Sequence, residues 1–324
     1  MNRISVVVCT YNGEKYIEEQ LDSLIAQTYP LHEIIIQDDG STDGTVSILH
    51  CFAQKHPMIK VFQNEEGKGV NVNFLSAMRR VSGDLIAVCD QDDIWEPTKI
   101  EKQVSCIGEH LLCVCRSRPF SEDGSAVDYD ARTPNYRIPR LLFASIPGHT
   151  MLFRRDLLDL IPPPDKSCYG TCYDVVLAST AAAYESIVLV DEVLVHQRRY
   201  GDALTYIDVD KRRQRSVGNA WFILWWSVSH YRRIKPLMRV HFGLRRKMFS
   251  HISSEKPACR LAMSILDAEC GKGLKSLLVL MTLFSKHYRY LFYTEKKGFV
   301  PFCRGLLYAV MQVYNFRYLA FREK

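Results

Sequence analysis

The sequence predicts an α/β fold followed by a helical, basic C-terminal region, and three observations support this prediction. Residues 3–9 form one apolar, largely β-branched run, similar runs alternate with helical segments up to residue 89, and basic and aromatic residues dominate after about residue 205. An uninterrupted apolar run is typical of a strand buried on both faces. Strands that alternate with helices usually pair in parallel through right-handed crossovers.

The individual elements follow from the hydrophobic periodicity. Ile17, Leu21 and Leu24 lie at helical spacing after the first strand, so a helix is predicted over 14–27. The polar stretch 117–140 contains three prolines and indicates a long loop over the sheet. The remaining predicted strands lie at 33–37, 59–62, 84–89, 150–153, 187–190 and 193–198, and the remaining predicted helices at 43–54, 72–80 and 173–183.

Composition limits the classes of protein that fit. The 324 residues suit one large domain or two smaller ones, and 47% hydrophobic with 24% charged residues excludes a disordered chain. The 11 cysteines lack the close pairs of a zinc site. The N-terminus does not resemble a signal peptide, and no apolar run reaches the ~20 residues that cross a bilayer. We therefore expect a cytoplasmic protein with reduced thiols.

Charge is divided unevenly along the chain. Residues 1–195 carry 17 basic and 28 acidic side chains, a net charge of −11, whereas residues 196–324 carry 25 basic and 8 acidic ones, a net charge of +17. We expect a catalytic domain over 1–205 and a separate helical region over 206–324. Tryptophans beside Arg232, Arg233 and Lys235 suggest a peripheral contact of that region with anionic membrane, although its apolar sides could instead pack onto the catalytic domain.

Polar residues follow the first two predicted strands. The first strand leads into Thr10-Tyr11-Asn12-Gly13-Glu14, which is neither a dinucleotide-binding glycine motif nor a P-loop. The second strand leads into Asp38 and Asp39, within Asp-Asp-Gly-Ser-Thr-Asp-Gly-Thr. Because ligands of open α/β sheets bind at the carboxyl ends of the strands, these groups suit the polar edge of a base and the hydroxyls of a ribose. The alternative is a simple turn in which Asp43 caps the next helix.

A run of carboxylates, Asp90-Gln91-Asp92-Asp93, follows the strand at 84–89. Three acids in four residues repel each other unless a cation lies among them. Oxygen ligands favour Mg²⁺ or Mn²⁺, which typically bridge protein carboxylates and the phosphates of a nucleotide. A solvated acidic loop is the alternative.

Taken together, these motifs resemble those of glycosyltransferase family 2, in particular its bacterial rhamnosyltransferase-like and cell-surface polysaccharide enzymes. The resemblance extends over about residues 3–205 and implies a GT-A fold, a UDP- or dTDP-linked sugar donor, Mg²⁺ or Mn²⁺, and inversion at the anomeric carbon. The motifs that carry it are Thr10-Tyr11-Asn12, the segment 38–45, Asn64, Gly69-Val70, Asn73-Phe74, Gly83-Asp84 and the segment 90–100.

The resemblance also implies roles for individual residues. The Asp-x-Asp motif places Asp92 on the metal and Asp90 nearer the ribose, although both are candidate metal ligands. Asp174 would be the general base, with Tyr173 in place of the usual His, unless Asp174 only caps its helix. The nucleotide-sugar site would comprise Thr10, Tyr11, Asn12, Glu14, Asp38 at the base, Asp39, Asp90, Gln91 and Arg198 near the diphosphate.

Three further residues are expected on the acceptor side. Trp95 lies where the family places an aromatic residue beside the sugar, with core packing as the alternative. Gly148 and His149 match the family's Gly-x-Thr near the acceptor, and a lone His there could equally be a satisfied polar residue. Arg199 is a second candidate for the diphosphate, and Tyr200 replaces a His that would help to bind metal or phosphate.

The sequence therefore predicts a metal-dependent, inverting glycosyltransferase, peripheral to the inner face of the cell membrane. Its acceptor would be a glycan or a polyprenyl-lipid-linked sugar, as in capsule or lipopolysaccharide synthesis. A metal-dependent nucleotide-sugar hydrolase or nucleotidyltransferase remains an alternative, as does an inactive relative that acts as a binding module. No nucleic-acid-binding module is recognisable in the basic region, so we expect no nucleic-acid partner.

Overall fold

The computed structural model describes residues 1–122, 134–161, 172–199, 217–252, 255–292 and 298–321. The chain divides into two compact units. The first, which we call the sheet unit, comprises Met1–Tyr129, Ser145–Ala182 and Ser186–Tyr206, and the second, the helical unit, comprises Asp130–Ala144, Ala183–Glu185 and Ile207–Lys324.

The sheet unit contains an eight-stranded mixed sheet in the order β3-β2-β1-β4-β7-β6-β8-β5. The first four strands of this order are parallel, whereas β7 is antiparallel to both β4 and β6, and β5 is antiparallel to β8. The strands are β1 (Ile4–Thr10), β2 (Glu33–Asp38), β3 (Ile59–Gln63), β4 (Leu85–Cys89), β5 (Ile94–Trp95), β6 (Leu112–Phe120), β7 (Met151–Arg154) and β8 (Ile187–Arg198).

Helices flank this sheet, and the buried apolar faces of β1, β2 and β4 form the centre of the core. The mixed sheet with flanking helices is a GT-A fold, as the sequence predicts. The helices are α1 (Ile17–Ile25), α2 (Thr45–Lys55), α3 (Val70–Ala77), α4 (Lys99–Ile107), α5 (Ile138–Leu141), α6 (Asp156–Leu160) and α7 (Tyr173–Ala183), of which α5 lies in the helical unit.

The part of the chain after β4 differs from the sequence prediction. The stretch 117–140, predicted as a loop, begins inside β6 and ends in α5. Pairing of residues 117–120 with β8 outweighs the polar composition of this part of β6, because inter-strand hydrogen bonds satisfy the backbone. The two strands predicted at 187–190 and 193–198 are one strand, and the exposed Asp191 and Glu192 between them lie at a bulge against β6.

The helical unit is built from long helices around a cluster of aromatic rings. Phe143 makes edge-on contacts with Phe242, Phe284 and Tyr308, with ring centroids 5.6 Å apart in each pair. No helix within the described ranges combines the length and apolar character needed to cross a bilayer. The helices are α8 (Val217–Phe249), α9 (Pro257–Cys270), α10 (Gly273–Lys286), α11 (Tyr288–Leu291) and α12 (Phe299–Met311), followed by a 3₁₀ segment (Gln312–Phe321).

Lys235 does not belong to the basic surface that the sequence suggested. It is 3% exposed on α8 and forms an ion pair with Glu269 of α9, which is fully buried. Gln312 also donates a hydrogen bond of 2.5 Å to Glu269. Burying a charge is costly unless it is paired and hydrogen-bonded, so this group holds the helical unit together and is not available to a ligand.

Candidate active site

The carboxyl ends of β1, β2 and β4 lie side by side, because these strands are parallel neighbours with Thr10 opposite Asp38. The loops that follow them therefore meet at one edge of the sheet, and every predicted donor-site residue except Arg198 lies on one of these loops or at the end of β1 or β2. Their position at this edge follows from the strand ends alone, whereas their individual orientations depend on tertiary contacts.

Asp38 supports the loop after β2 from beneath. Its carboxylate is 1% exposed and accepts hydrogen bonds from Thr10 Oγ1 at 2.8 Å and from the backbone N–H groups of Gly40 at 3.0 Å and Ser41 at 2.8 Å. The predicted contact of Asp38 with the base is therefore not supported. The half-buried Asp39, which accepts a hydrogen bond from Gly69 N–H at 2.7 Å, is the carboxylate of this pair nearer to the crevice.

Asn12 and Glu14 tie the loop after β1 to the loop after β2. Asn12 has a positive φ of 47°, and its side-chain oxygen accepts the Thr42 N–H at 2.8 Å. Glu14 accepts the Gly44 N–H at 2.8 Å, while its own N–H donates to Asp43 at 3.1 Å. Both side chains are exposed, so they shape the pocket and remain able to reach a ligand.

Gln91 links the acidic loop to the loop after β1 by two amide hydrogen bonds. Its side chain accepts the Tyr11 N–H at 2.9 Å and donates to the Tyr11 carbonyl at 3.1 Å. This arrangement leaves the Tyr11 ring 54% exposed beside the polar loops, where a planar base could stack on it.

Three groups converge at the end of β4. Asp90, Asp93 and His149 each offer a ligand atom within 4.8 Å of the others, a spacing that could hold a metal ion. His149 Nδ1 lies 3.0 Å from Asp90 Oδ2 and 3.2 Å from Asp93 Oδ2, and its Nε2 lies 3.0 Å from Ser117 Oγ. The sequence alone does not connect Asp93 with His149, because only the pairing of β4 with β7 brings them together.

Burial and charge shift the pKa values of this group upward. Burial, together with the neighbouring carboxylates of Asp90 and Asp92, raises the pKa of the Asp93 carboxyl. Burial alone would lower the pKa of His149, but the carboxylates of Asp93 and Asp90 outweigh it and raise that pKa. His149 is thus suited to carry a positive charge. This single charge does not neutralise the three carboxylates of the acidic loop.

The donor set fits a divalent cation. Asp93 Oδ2 has no hydrogen-bond partner among the described residues, and the acidic loop supplies hard oxygen ligands. The Asp90 side chain is 35% exposed, whereas those of Asp93 and His149 are 2% and 1% exposed. Asp92 is half-buried like Asp90, so these two carboxylates of the acidic loop are more accessible than the buried Asp93.

Arg198 is not available to a diphosphate in this structure. It is 5% exposed, its N–H donates to Asp93 Oδ1 at 3.1 Å, and its Nε donates to the Asp92 carbonyl at 3.0 Å. Its guanidinium also forms ion pairs with Glu19 at 2.5 Å and with Glu122. Arg198 therefore fixes the acidic loop to the end of β8, and the predicted diphosphate contact is replaced by a positioning role.

The second arginine has a partner as well. Arg199 donates from Nη2 to Gln197 Oε1 at 2.8 Å, and its N–H donates to the carbonyl of Phe120 at 2.9 Å. Tyr200, at the position of the family's His, lies outside the described residues.

Trp95 lies in the core and not in the crevice. The antiparallel pairing of β5 with β8 places Trp95 opposite Val195, and the indole is 2% exposed. The Lys99 ammonium group lies 3.6 Å from the centroid of the Trp95 ring. The packing alternative is therefore correct, and the predicted acceptor-side contact of Trp95 is not supported.

Asp174 lies in the first turn of α7, where its carboxylate accepts the Val175 N–H at 2.7 Å. It is half-buried, and the preceding Tyr173 is buried and stacks on Phe74 with ring centroids 4.2 Å apart. Burial raises the pKa of the Tyr173 hydroxyl well above its usual value, and the nearby carboxylates of Asp90 and Asp174 add to the shift. The predicted base directly follows this tyrosine in the first turn of α7.

Comparison with known proteins identifies the sheet unit. Residues 5–161 match the family described as glycosyl transferase family 2. This segment belongs to that family. A putative teichuronic acid biosynthesis glycosyltransferase, TuaG of Bacillus subtilis, is 37% identical over 131 residues, which are 40% of this chain and 50% of TuaG. The chondroitin synthase of Escherichia coli is 30% identical over 153 residues, which are 46% of this chain and 22% of the synthase.

A solved structure extends the likeness in fold beyond the family 2 segment. S. aureus TarS 1–349 in complex with UDP-GlcNAc covers 99% of this chain with a TM-score of 0.56 and 16% sequence identity, and 92% of TarS is covered in turn. At this identity the likeness shows the fold alone. The chain spans half or less of the length of the two curated relatives, so their activities as whole proteins do not transfer to it directly.

Within this family 2 domain, Gly148 provides space that a side chain would fill. A Cβ atom at Gly148 would lie 2.1 Å from the Tyr173 hydroxyl and 2.7 Å from Cζ. We expect Gly148→Ala to lower the free energy of unfolding by roughly 1–3 kcal/mol, since the buried ring must move. The measurement is urea denaturation. Gly243→Ala is the control, because nothing lies within 4 Å of that position in α8, and the helical propensity of alanine should leave stability equal or higher.

Proposed function

We propose that this protein is a metal-dependent, inverting glycosyltransferase that transfers a sugar from a nucleoside-diphosphate sugar, UDP- or dTDP-linked, to a glycan or lipid-linked acceptor. The observation that carries the proposal is the acidic loop at the end of β4. Two of its three carboxylates, those of Asp90 and Asp93, lie beside the imidazole of His149, and the loop lies at the donor edge of a family 2 domain. A hydrolase could use the same acids, but membership of the family favours transfer.

In this proposal the residues divide the chemistry between two sides of the sugar. Asp174 accepts the proton of the acceptor hydroxyl while the hydroxyl oxygen bonds to the anomeric carbon. The bond between that carbon and the diphosphate oxygen breaks on the opposite face, which inverts the configuration. Asp90 and Asp92 would hold Mg²⁺ or Mn²⁺, which supplies positive charge to the departing diphosphate.

The chain's own contacts organise the donor side. Gln91 fixes the acidic loop against the loop after β1, and Arg198 fixes it against β8. This double attachment holds Asp90 and Asp92 in place before the donor arrives, and such pre-organisation lowers the cost of binding. Tyr11 and Asp39 would meet the base, while Asn12 and Glu14 would shape the ribose end of the pocket.

The names of the relatives support the choice of substrates. TuaG is named for teichuronic acid biosynthesis, the E. coli relative is a chondroitin synthase, and TarS was solved with UDP-GlcNAc. A UDP-linked donor and a polysaccharide acceptor, such as a capsular or lipopolysaccharide glycan, follow from this likeness as our proposal for the present chain.

The experiment for the donor class is a thermal-shift screen of nucleoside diphosphates and their sugars with and without Mn²⁺. A ligand that binds only the native state at ~100 times its dissociation constant adds roughly 2.7 kcal/mol of stability, which such a screen detects. We expect a shift with a uridine or thymidine diphosphate sugar that disappears on addition of a chelator. A screen in which no nucleotide sugar raises the melting temperature would contradict the proposal.

We also propose that α10 and α12 place the protein on anionic membrane at the inner face of the cell membrane. On α10, Leu274 is 69% and Leu278 is 53% exposed, and on α12, Phe299 is 78% and Val300 is 77% exposed. Neither helix contains an Asp or Glu, whereas lysines and an arginine are interspersed with these apolar residues. An apolar face with basic neighbours suits the interface of an anionic bilayer.

The double variant Leu274→Gln and Leu278→Gln tests this surface. We expect at least about tenfold weaker partitioning onto vesicles of phosphatidylglycerol and phosphatidylcholine, since two apolar side chains are lost. Sedimentation with the vesicles measures the partitioning. Val240→Gln is the control. Val240 is 69% exposed, as Leu274 is, but it lies on α8 and not on α10 or α12. Equal partitioning of the double variant and the wild type would contradict the membrane proposal.

A further inference from the structure

Tyr173 stands out because the residue is buried in the candidate active site while its hydroxyl makes no hydrogen bond to a described residue. The residue is 7% exposed, and its ring is held by stacking on Phe74. The backbone N–H of Tyr173 donates to Asn71 Oδ1 at 3.2 Å, which fixes the start of α7. The hydroxyl itself makes no hydrogen bond to any described residue, and it is not among the fully buried polar atoms that lack a partner, so a ligand can reach it.

The surroundings of the hydroxyl define where it points. It lies against Gly148, since a Cβ atom there would be 2.1 Å away. Gly148 precedes His149, whose Nδ1 lies 3.0 Å from Asp90 Oδ2, and Asp174 directly follows Tyr173 in the first turn of α7. The hydroxyl therefore lies near the donor-side acid and also near the base of the proposed mechanism.

The mechanism determines what occupies this region. The diphosphate leaves on the side of Asp90, and the acceptor hydroxyl attacks on the side of Asp174, so the transferred sugar must lie between the two. Sugar hydroxyls accept hydrogen bonds, and a tyrosine hydroxyl can donate one. The space that Gly148 leaves allows the Tyr173 hydroxyl to extend to this point.

We infer that the Tyr173 hydroxyl donates a hydrogen bond to a hydroxyl of the transferred sugar and thereby contributes to donor specificity. This inference rests on the proposed glycosyl transfer. Asp174 and the cation act on bonds that every donor shares, whereas Tyr173 contacts a part of the sugar that differs between donors. A sugar without an oxygen at that position would leave the tyrosine unpaired and bind less well.

The test compares binding of a nucleotide sugar with binding of its nucleoside diphosphate by titration calorimetry in the presence of Mn²⁺. The probes are UDP and UDP-glucose, dTDP and dTDP-glucose, and GDP and GDP-mannose. For the pair that the wild type binds, we expect Tyr173→Phe to lower the affinity for the nucleotide sugar roughly threefold to tenfold. The affinity for the nucleoside diphosphate should change less than twofold. The melting temperature without ligand should be unchanged or higher, because the hydroxyl has no hydrogen-bond partner in the described part of the chain.

The control is Tyr29→Phe, which removes a hydroxyl that donates to the Asn2 carbonyl at 3.1 Å near the start of β1, at the other edge of the sheet. It should leave both affinities unchanged. Three results for Tyr173→Phe would overturn the inference while the proposed function stands. These are an equal loss of affinity for the nucleotide sugar and the nucleoside diphosphate, no loss of affinity for either, and a lower melting temperature. Failure of the wild type to bind any of the probes would instead contradict the proposed function, and the inference with it.

Discussion

Asp174→Asn is expected to lower kcat by at least ~10²-fold while the dissociation constant of the nucleotide-sugar donor changes little. Asparagine keeps the size of the side chain and can still accept the Val175 N–H, but it cannot take a proton from the acceptor hydroxyl. Donor binding depends on the nucleoside pocket and the cation, which this change leaves intact. The measurements are steady-state turnover of a glycan acceptor and calorimetric titration of the donor.

A matched variant separates general-base catalysis from helix capping. Asp156 is an acid in the first turn of α6, as Asp174 is in the first turn of α7. Loss of an acid near a helix N-terminus costs roughly 0.3–1 kcal/mol in either place. Asp156→Asn should therefore show this small loss of stability with normal turnover. If Asp174→Asn behaves like Asp156→Asn, then Asp174 only stabilises its helix and the base lies elsewhere.

In the Asp92→Asn variant, Mn²⁺ or Mg²⁺ should no longer strengthen donor binding. Glycosyltransferase activity should fall to background. We expect this effect because Asp92 and Asp90 supply the carboxylates that would bind a cation in the crevice. We expect the affinity for Mn²⁺ in the presence of nucleoside diphosphate to fall by at least about 100-fold, since even outer partners of metal ligands are worth 10–100-fold. Titration of Mn²⁺ followed by electron paramagnetic resonance measures this affinity.

Asp93→Asn distinguishes two positions for the ion. Asp93 is buried against His149 and accepts the N–H of Arg198, so its replacement should mainly lower the stability of the protein. Mn²⁺ affinity should fall no more than about 100-fold, as for a residue behind the ligands. If Asp93→Asn abolishes Mn²⁺ binding and Asp92→Asn does not, the ion lies in the buried group of Asp90, Asp93 and His149, and our assignment is wrong.

The first half of the sheet unit was predictable because its signals are local. β1, β2 and β4 each contain a run of three or more apolar residues, and each run is followed by polar residues that parallel pairing must bring to one edge. The helix predicted at 173–183 is found at those bounds as α7. The family resemblance, read from the same strand ends, is confirmed by the match over residues 5–161.

The remaining features depend on contacts between distant parts of the chain. β5 has only two residues, and its pairing with β8 directs the Trp95 side chain into the core. His149 is 59 residues from Asp90 in sequence, and β7 brings it there by an antiparallel pairing that the alternation of strands and helices does not predict. Arg198 matches a motif by position, but its ion pairs with Glu19 and Glu122 are visible only in the folded chain.

The measurement that tests the central claim most directly uses water as the acceptor. The protein is incubated with the donor found in the screen and Mn²⁺, and slow hydrolysis is followed by ¹H and ³¹P nuclear magnetic resonance before the free sugar can change its configuration. Our account predicts a nucleoside diphosphate together with a free sugar whose anomeric configuration is opposite to that of the donor. A retained configuration would contradict the single displacement, and a nucleoside monophosphate with a sugar phosphate would show that the acidic loop serves cleavage of the diphosphate.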